Sequence, residues 1–248
     1  MKPLVSIIIA SFNSARTIDK TLSSILNQNF NNYELIVIDG LSTDGSVDII
    51  KSYESSFLDK LKWISENDNG IYDAWNKGLE IASGTWICFI GTDDYFLPDA
   101  LENYFNIINS TSGINFISSM CLLVDYNYKP IRKYGGFFSN KMKSYCTIAH
   151  VGSFHKKELF DEKPYFNTTY KISADYDFLL RKFTKIIPVF FPVITAVVMN
   201  TGISGKNIVD VSKERTVIKI QNKSKPVFNC YIDFFSTIFK FYLRKYFI

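Results

Sequence analysis

An α/β fold, with a mixed but mostly parallel sheet flanked by helices, is predicted by three features of the first hundred residues. Apolar runs of strand length alternate with amphipathic helical patterns. The strand-like runs are apolar almost throughout rather than at every second residue, as expected when helices cover both faces of a sheet. Three of these runs end in polar clusters: Ser11-Phe12-Asn13, Asp39-Gly40 and Thr92-Asp93-Asp94. Ligands of open parallel sheets sit beyond the carboxyl ends of the strands, so the three clusters mark one prospective site.

The elements follow in order. Residues 4–10 (LVSIIIA) form the first strand, and Asn13 or Ser14 is placed to cap a helix with Ile18, Leu22, Ile25 and Leu26 on one face. Residues 33–38 form the second strand. Residues 42–46 give a turn and helix start that Val47, Ile50 and Tyr53 continue. Residues 61–64 form a third strand, 71–82 a helix and 85–90 a fourth strand. Pro98 opens a helix that turns Leu101, Tyr104, Phe105 and Ile108 inward. Residues 115–133 are β-rich, and 134–139 (YGGFFS) read as a mobile loop with glycine hinges and aromatics to close on something. A helix follows at 177–183. Residues 186–204 carry no charge and approach spanning length. Pro188, Pro192, the β-branched content, Asn200 and Thr201 point instead to two short buried strands around a proline turn.

The chain has 248 residues, 47% of them hydrophobic and 16% aromatic, which supports a real core and excludes disorder. A net charge of +4 is too mild to argue for nucleic acid, and none is expected as a partner. Four irregularly spaced cysteines and two histidines suggest neither a disulfide framework nor a zinc site. A reduced, cytoplasmic chain without a signal peptide is the expectation.

Adjacent carboxylates at a strand end, Asp93 and Asp94, suit a hard divalent cation, Mn²⁺ or Mg²⁺, that shares its coordination with phosphate oxygens. The plainer reading is an acidic helix start ahead of Pro98. No glycine-rich phosphate loop follows the first strand, which argues against a P-loop NTPase or a nicotinamide dehydrogenase. Asp39 is placed either to accept from a ribose or base, or to cap its own turn onto Ser42.

Residues 4–13, 37–46 (VIDGLSTDGS), 73–78 (DAWNKG) and 92–94 (TDD), in that order, resemble family 2 glycosyltransferases of the GT-A fold. Residues 69–74 (NGIYDA) resemble the subset that builds bacterial surface polysaccharides, including colanic-acid-type enzymes, and the likeness resumes at 174–177 (ADYD). The resemblance implies an inverting enzyme of bacterial polysaccharide biosynthesis that moves a hexose or N-acetylhexosamine from a nucleotide-diphosphate sugar, with a UDP-sugar as the expected donor, to a glycan or lipid-linked saccharide acceptor. It implies Asp39, helped by Ser11 and Asn13, at the donor nucleotide, and Asp68 and Asn76 flanking nucleotide and sugar. It implies Asp94 on the metal and Asp93 toward the donor. Many relatives carry a further Asp where this chain has Gly91.

Asp175 resembles the family's catalytic base, with Asp177 ranked second. An acceptor hydroxyl needs a carboxylate to take its proton in the transition state. A single base on the face opposite the leaving diphosphate gives one displacement with inversion. Asp175 also stands where it could cap a helix. His150 is a weaker candidate, for the acceptor or the diphosphate. The implied layout is a nucleotide-sugar half (1–110), an acceptor half (111–225) and a C-terminal amphipathic helix (226–248). A non-catalytic nucleotide-sugar-binding protein and a sugar nucleotidyltransferase remain as alternatives.

In that last helix Asn229, Asp233, Ser236/Thr237, Lys240 and Arg244 form one narrow polar stripe in an otherwise apolar and aromatic segment, with Lys245 adding late positive charge. It reads either as a helix packed on the domain or on a second subunit, or as an in-plane helix at the inner face of an anionic membrane. Asp233 and Lys240 disfavour a spanning helix.

Overall fold

A computed structural model describes residues 2–200 and 207–247, the side chains of 244–247 excepted. The expectations for residues 201–204, and for the side chains of Arg244 and Lys245, lie outside the described residues.

Strands β1 (Val5–Ser11), β2 (Tyr33–Asp39), β3 (Leu61–Ser65) and β4 (Trp86–Gly91) run parallel in the order β3-β2-β1-β4. Successive residues of β1 serve opposite faces. Ile7 and Ile9 pack with α1 (Ile18–Leu26), α2 (Ser46–Ser52) and α5 (Ala100–Ser110). Ile8 packs with α4 (Ile71–Ile81) and α6 (Ala174–Arg181). All three isoleucines are fully buried, each contributing roughly 1.5–3 kcal/mol. Close approach of α4 depends on Gly78, because a Cβ there would lie 2.6 Å from Ile8 Cγ2. The short helix α3 (Glu54–Phe57) completes the connection to β3.

The second half extends the same sheet. β8 (Ser153–Lys156) lies antiparallel between β4 and β6 (Phe116–Val124), and β9 (Pro188–Met199) runs parallel to β6. β7 (Pro130–Tyr134) pairs with β6, and β5 (Tyr95–Phe96) pairs with the far edge of β9. Only residues 92–94 separate β4 from β5, yet β8, β6 and β9 lie between them in the sheet order. Three residues span about 10 Å at most. The sheet must therefore curl until its far edge meets the end of β4, and the segment that closes this curl carries Asp93 and Asp94.

Two expectations are corrected. Residues 188–199 form one strand rather than two. Its register with β6 slips between the Ser118–Phe190 and Met120–Ile194 pairs, and this irregularity absorbs Pro192, which has no N–H to give. The 134–139 loop is packed: Phe138 lies against Phe116 and Phe183, Phe137 against Phe190, and a Cβ on Gly135 (φ 103°) would meet Ser119 O at 2.4 Å.

The chain ends in α7 (Ile208–Gln221) and α8 (Val227–Phe247). Glu214 of α7 accepts the backbone N–H groups of Lys171, Ile172 and Ser173, which fixes the entry to α6.

Candidate functional site

At the carboxyl ends of β1 and β2, Asp39 is fully buried. Its Oδ1 accepts from Ser11 Oγ (3.0 Å) and Ser42 Oγ (2.5 Å), and its Oδ2 from Ser42 N (2.9 Å) and Ser65 Oγ (2.8 Å). Four donors fill the carboxylate, so in this geometry Asp39 caps its turn and ties three strand ends together. Asn13, in the left-handed region (φ 46°), receives the N–H of Thr43 on its Oδ1 and donates its own N–H to Ser42 Oγ. These bonds join the β1 loop to the β2 loop.

The surface of this corner is formed by two other groups. Asp68 lies over Gly40, where a Cβ would come within 2.7 Å of its Oδ2, and it also accepts from Gly70 N at 2.8 Å. Phe12, 65% exposed, lies against the same glycine. An exposed aromatic face beside a carboxylate at a strand end was missed in the sequence. The signal was available, since Phe12 interrupts the polar cluster that follows β1.

The Asp93–Asp94 turn is held from below by α1. The Thr21 hydroxyl lies 3.4, 2.9 and 2.6 Å from the carbonyls of Gly91, Thr92 and Asp94. One turn on, Ser24 Oγ accepts from Phe96 N. Gln28 donates to Leu97 O and accepts from Leu101 N. Thr21, Ser24 and Gln28 thus make a polar stripe at helical spacing that fastens residues 91–101 to the sheet.

The turn's charge is only partly compensated. Asp94 is 6% exposed and takes the amide of Met199 on Oδ1 at 3.1 Å. Burial first and the Asp93 charge second push its pKa up to about 8, against the amides of Met199 and Gly91. Asp94 Oδ2 and Asp93 Oδ1 converge on Gly91, lying 3.0 and 3.1 Å from where a Cβ would stand. Gly91 is therefore the cradle under two carboxylate oxygens. Among the described residues no group of three or more His, Cys, Asp or Glu side chains forms a metal cluster. Two hard oxygens with excess negative charge fit an Mg²⁺ or Mn²⁺ that takes its remaining ligands from phosphate and water.

Asp175 stands in the first turn of α6 and accepts a hydrogen bond from Tyr72 Oη of α4 at 3.2 Å. Tyr72 is buried edge-on to Trp75, and its hydroxyl pKa is raised well above the usual value by burial and then by Asp175. The base candidate is thereby fixed to the helix that follows the Asp68 loop.

Three expected residues are engaged elsewhere. Asp177 faces away, bound by Arg181 Nε at 2.8 Å and Asn222 Nδ2 at 2.9 Å. Two residues along a helix turn the side chain to a different face, which removes it from the site. Asn76 spends both ends of its amide on the backbone of Phe166, donating to O at 2.9 Å and accepting from N at 2.8 Å. It fixes the 166 loop through one Nδ2–H and one Oδ1 lone pair. His150 packs against Trp75 and Phe89, which also touch each other, and both its ring nitrogens are buried with no hydrogen-bond partner among the described residues. Burial lowers its pKa against the pull of Asp175, so the ring is neutral at pH 7 and offers no cation to a diphosphate.

Known proteins resemble this arrangement. Residues 6–156 match the family model described as Glycosyl transferase family 2. A PGL/p-HBAD biosynthesis glycosyltransferase of Mycobacterium bovis is 29% identical over 212 residues, covering 84% of this chain and 81% of its own. The crystal structure of S. aureus TarS 1-349 in complex with UDP-GlcNAc superposes with a TM-score of 0.71 at 17% identity, covering 94% of this chain and 71% of that one. The mannosyltransferase PcManGT from Pyrobaculum calidifontis, in complex with GDP-Man and Mn²⁺, gives a TM-score of 0.64 at 19% identity, covering 90% and 63%. Against a longer crystallised TarS chain, the present one spans 39% of the length. These likenesses show the GT-A architecture.

Proposed function

The chain belongs to glycosyl transferase family 2 and is a glycosyltransferase; from that premise we propose that it moves a hexose or N-acetylhexosamine, with inversion, from a UDP-sugar to a saccharide or lipid-linked saccharide in bacterial polysaccharide biosynthesis. The observation that carries the reading is the convergence of Asp93 Oδ1 and Asp94 Oδ2 over Gly91 at the carboxyl end of β4, with Asp175, held by the Tyr72 hydroxyl, as the candidate base. Structural neighbours that hold UDP-GlcNAc, or GDP-Man with Mn²⁺, support a nucleotide-sugar donor.

The residues divide the work as follows. The exposed face of Phe12 stacks on the nucleobase, and Asp68 accepts from nucleotide hydroxyl or imide groups in front of Gly40. Asp39, Ser11 and Asn13 hold that corner rigid from beneath. Asp93 and Asp94 would hold the cation, which when bound supplies positive charge to the departing diphosphate. Asp175 takes the proton of the acceptor hydroxyl as its oxygen bonds to the anomeric carbon. The bond from that carbon to the β-phosphate oxygen breaks on the opposite face and releases UDP.

The test is a UDP-sugar panel scored by UDP release and by product mass, with Asp175→Asn alongside. Asp175→Asn should lower kcat by about 10²–10⁴-fold while UDP binding by calorimetry stays intact. Transfer at the wild-type rate in that variant would remove the base assignment. Pyrophosphate in place of UDP would favour a nucleotidyltransferase.

A further inference from the structure

α8 is attached the unexpected way round. Asp233 faces the protein: it accepts from Lys219 Nζ (3.1 Å) and Lys225 Nζ (2.9 Å), and Lys225 also reaches Ser144 Oγ. Cys230 is buried on the same side. Phe228, Tyr231, Ile232, Phe235, Phe239 and Tyr242 are turned outward, with Phe228 75% and Phe235 65% exposed. At 3.6 residues per turn these six side chains fall within about 120° of the helix circumference. A helix that spends Asp233 on the protein and presents phenylalanines to solvent has a second surface to meet.

Charge says which surface. Residues 207–248 carry eight basic side chains against three acidic, whereas the rest of the chain has twenty against twenty-one. The chain's net positive charge thus comes from its last two helices and the link between them. A second copy would bring the same positive helix to a two-fold interface and repel it. An anionic bilayer attracts it. Among the described residues no helix is long and apolar enough to cross a membrane, so the helix would lie in the surface.

We propose that the outward face of α8 docks on an anionic lipid bilayer, its aromatic stripe in the headgroup–acyl boundary and the exposed Lys213 of α7 and Lys240 of α8 available to the headgroups. This does not depend on the donor assignment, and the test uses neither sugar nor nucleotide. The full chain is sedimented with vesicles of phosphatidylcholine, alone or with phosphatidylglycerol, at low and high salt, beside Phe228→Ser/Phe235→Ser. Binding should require phosphatidylglycerol, weaken with salt and fall at least about tenfold in the variant, whose substituted residues are solvent-exposed and leave the fold intact by circular dichroism. Three results would overturn the proposal: no binding by the wild type, equal binding by the variant, or a dimer by light scattering that the same substitutions dissociate without any effect on vesicles.

Discussion

Two buried carboxylates sit at opposite ends of the same sheet and are treated in opposite ways. Glu34, near the amino end of β2, is 4% exposed and surrounded by donors: Ser6 Oγ (2.6 Å), Ser83 N (2.6 Å), Gly84 N (3.1 Å) and the Lys62 ammonium (2.7 Å). Burial pushes its pKa up, but Lys62, Ser6 and Ser83 outweigh burial and hold it at about 2. Asp94, past the carboxyl end of β4, is equally buried and is pushed the other way, to about 8. One end of the sheet invests its charge in the fold. The other leaves Asp94 buried beside a second carboxylate with fewer donors than Glu34 has, an arrangement that the proposed cation would relieve.

The largest effects should separate these two ends. Asp94→Asn should lower transfer by about 10³-fold, since several kcal/mol of leaving-group stabilisation depend on the cation. It should leave Tm unchanged or higher, because the buried acid already carries its proton below about pH 8 and no paired charge is lost. Glu34→Gln should do the reverse, destabilising by about 2–3 kcal/mol through unpaired serine, amide and lysine donors while kcat per folded molecule is retained. Thermal melts and initial rates on both variants check this. If Asp94→Asn melts as low as Glu34→Gln, the comparison fails.

Acid and base should divide the ends next. A carboxylate depressed to about 2 contributes stability present above its unfolded pKa, near 4.5, and lost as pH falls toward 2. The shift corresponds to about 3 kcal/mol, visible in urea melts between pH 5 and 2 and absent in Glu34→Gln. Asp94 has the opposite sign: it binds its proton in the folded state, so stability falls as pH rises from about 4 to 8. Mn²⁺ competes with that proton. The Tm gain on adding Mn²⁺ should grow up to pH 8 and level off above it.

Legibility in the sequence followed the same division. The parallel half could be read because apolar runs and helix periodicity are local signals, and residues 4–10 admit few other structures. The long-range partners could not. Nothing near Asp177 announces Asn222, nothing near Asn76 announces Phe166, and the pairing of Glu34 with Ser6, Lys62 and Ser83 spans four separate segments. Periodicity likewise marked a polar stripe on α8, but periodicity alone is silent on which side meets the protein; Asp233 with Lys219 and Lys225 decides that. Phe12 was missed for a different reason, since an aromatic in a polar loop has no periodic signature.

Phe12 gives the next smaller effect at the carboxyl end. Stacking on a base is worth about 1–3 kcal/mol, so Phe12→Ala should raise the KM for the donor by about tenfold or more with little change in kcat. The side chain is 65% exposed, so Tm should hold. A loss of kcat with KM unchanged would move Phe12 off the nucleobase.

The smallest effect belongs to Tyr72→Phe. Its hydroxyl donates to Asp175 Oδ1 at 3.2 Å, a distance at the loose end of such bonds. Removing one hydrogen bond to a charged acceptor costs about 1–2 kcal/mol when it is well made, so kcat should fall about fivefold. Donor binding should be unaffected, because the ring that packs on Trp75 and Phe166 remains. A purely structural Tyr72 would lower Tm and leave kcat per folded molecule unchanged. If kcat falls while Tm and donor binding hold, Tyr72 positions the base, and the contrast between the two ends of the sheet extends to a neutral residue.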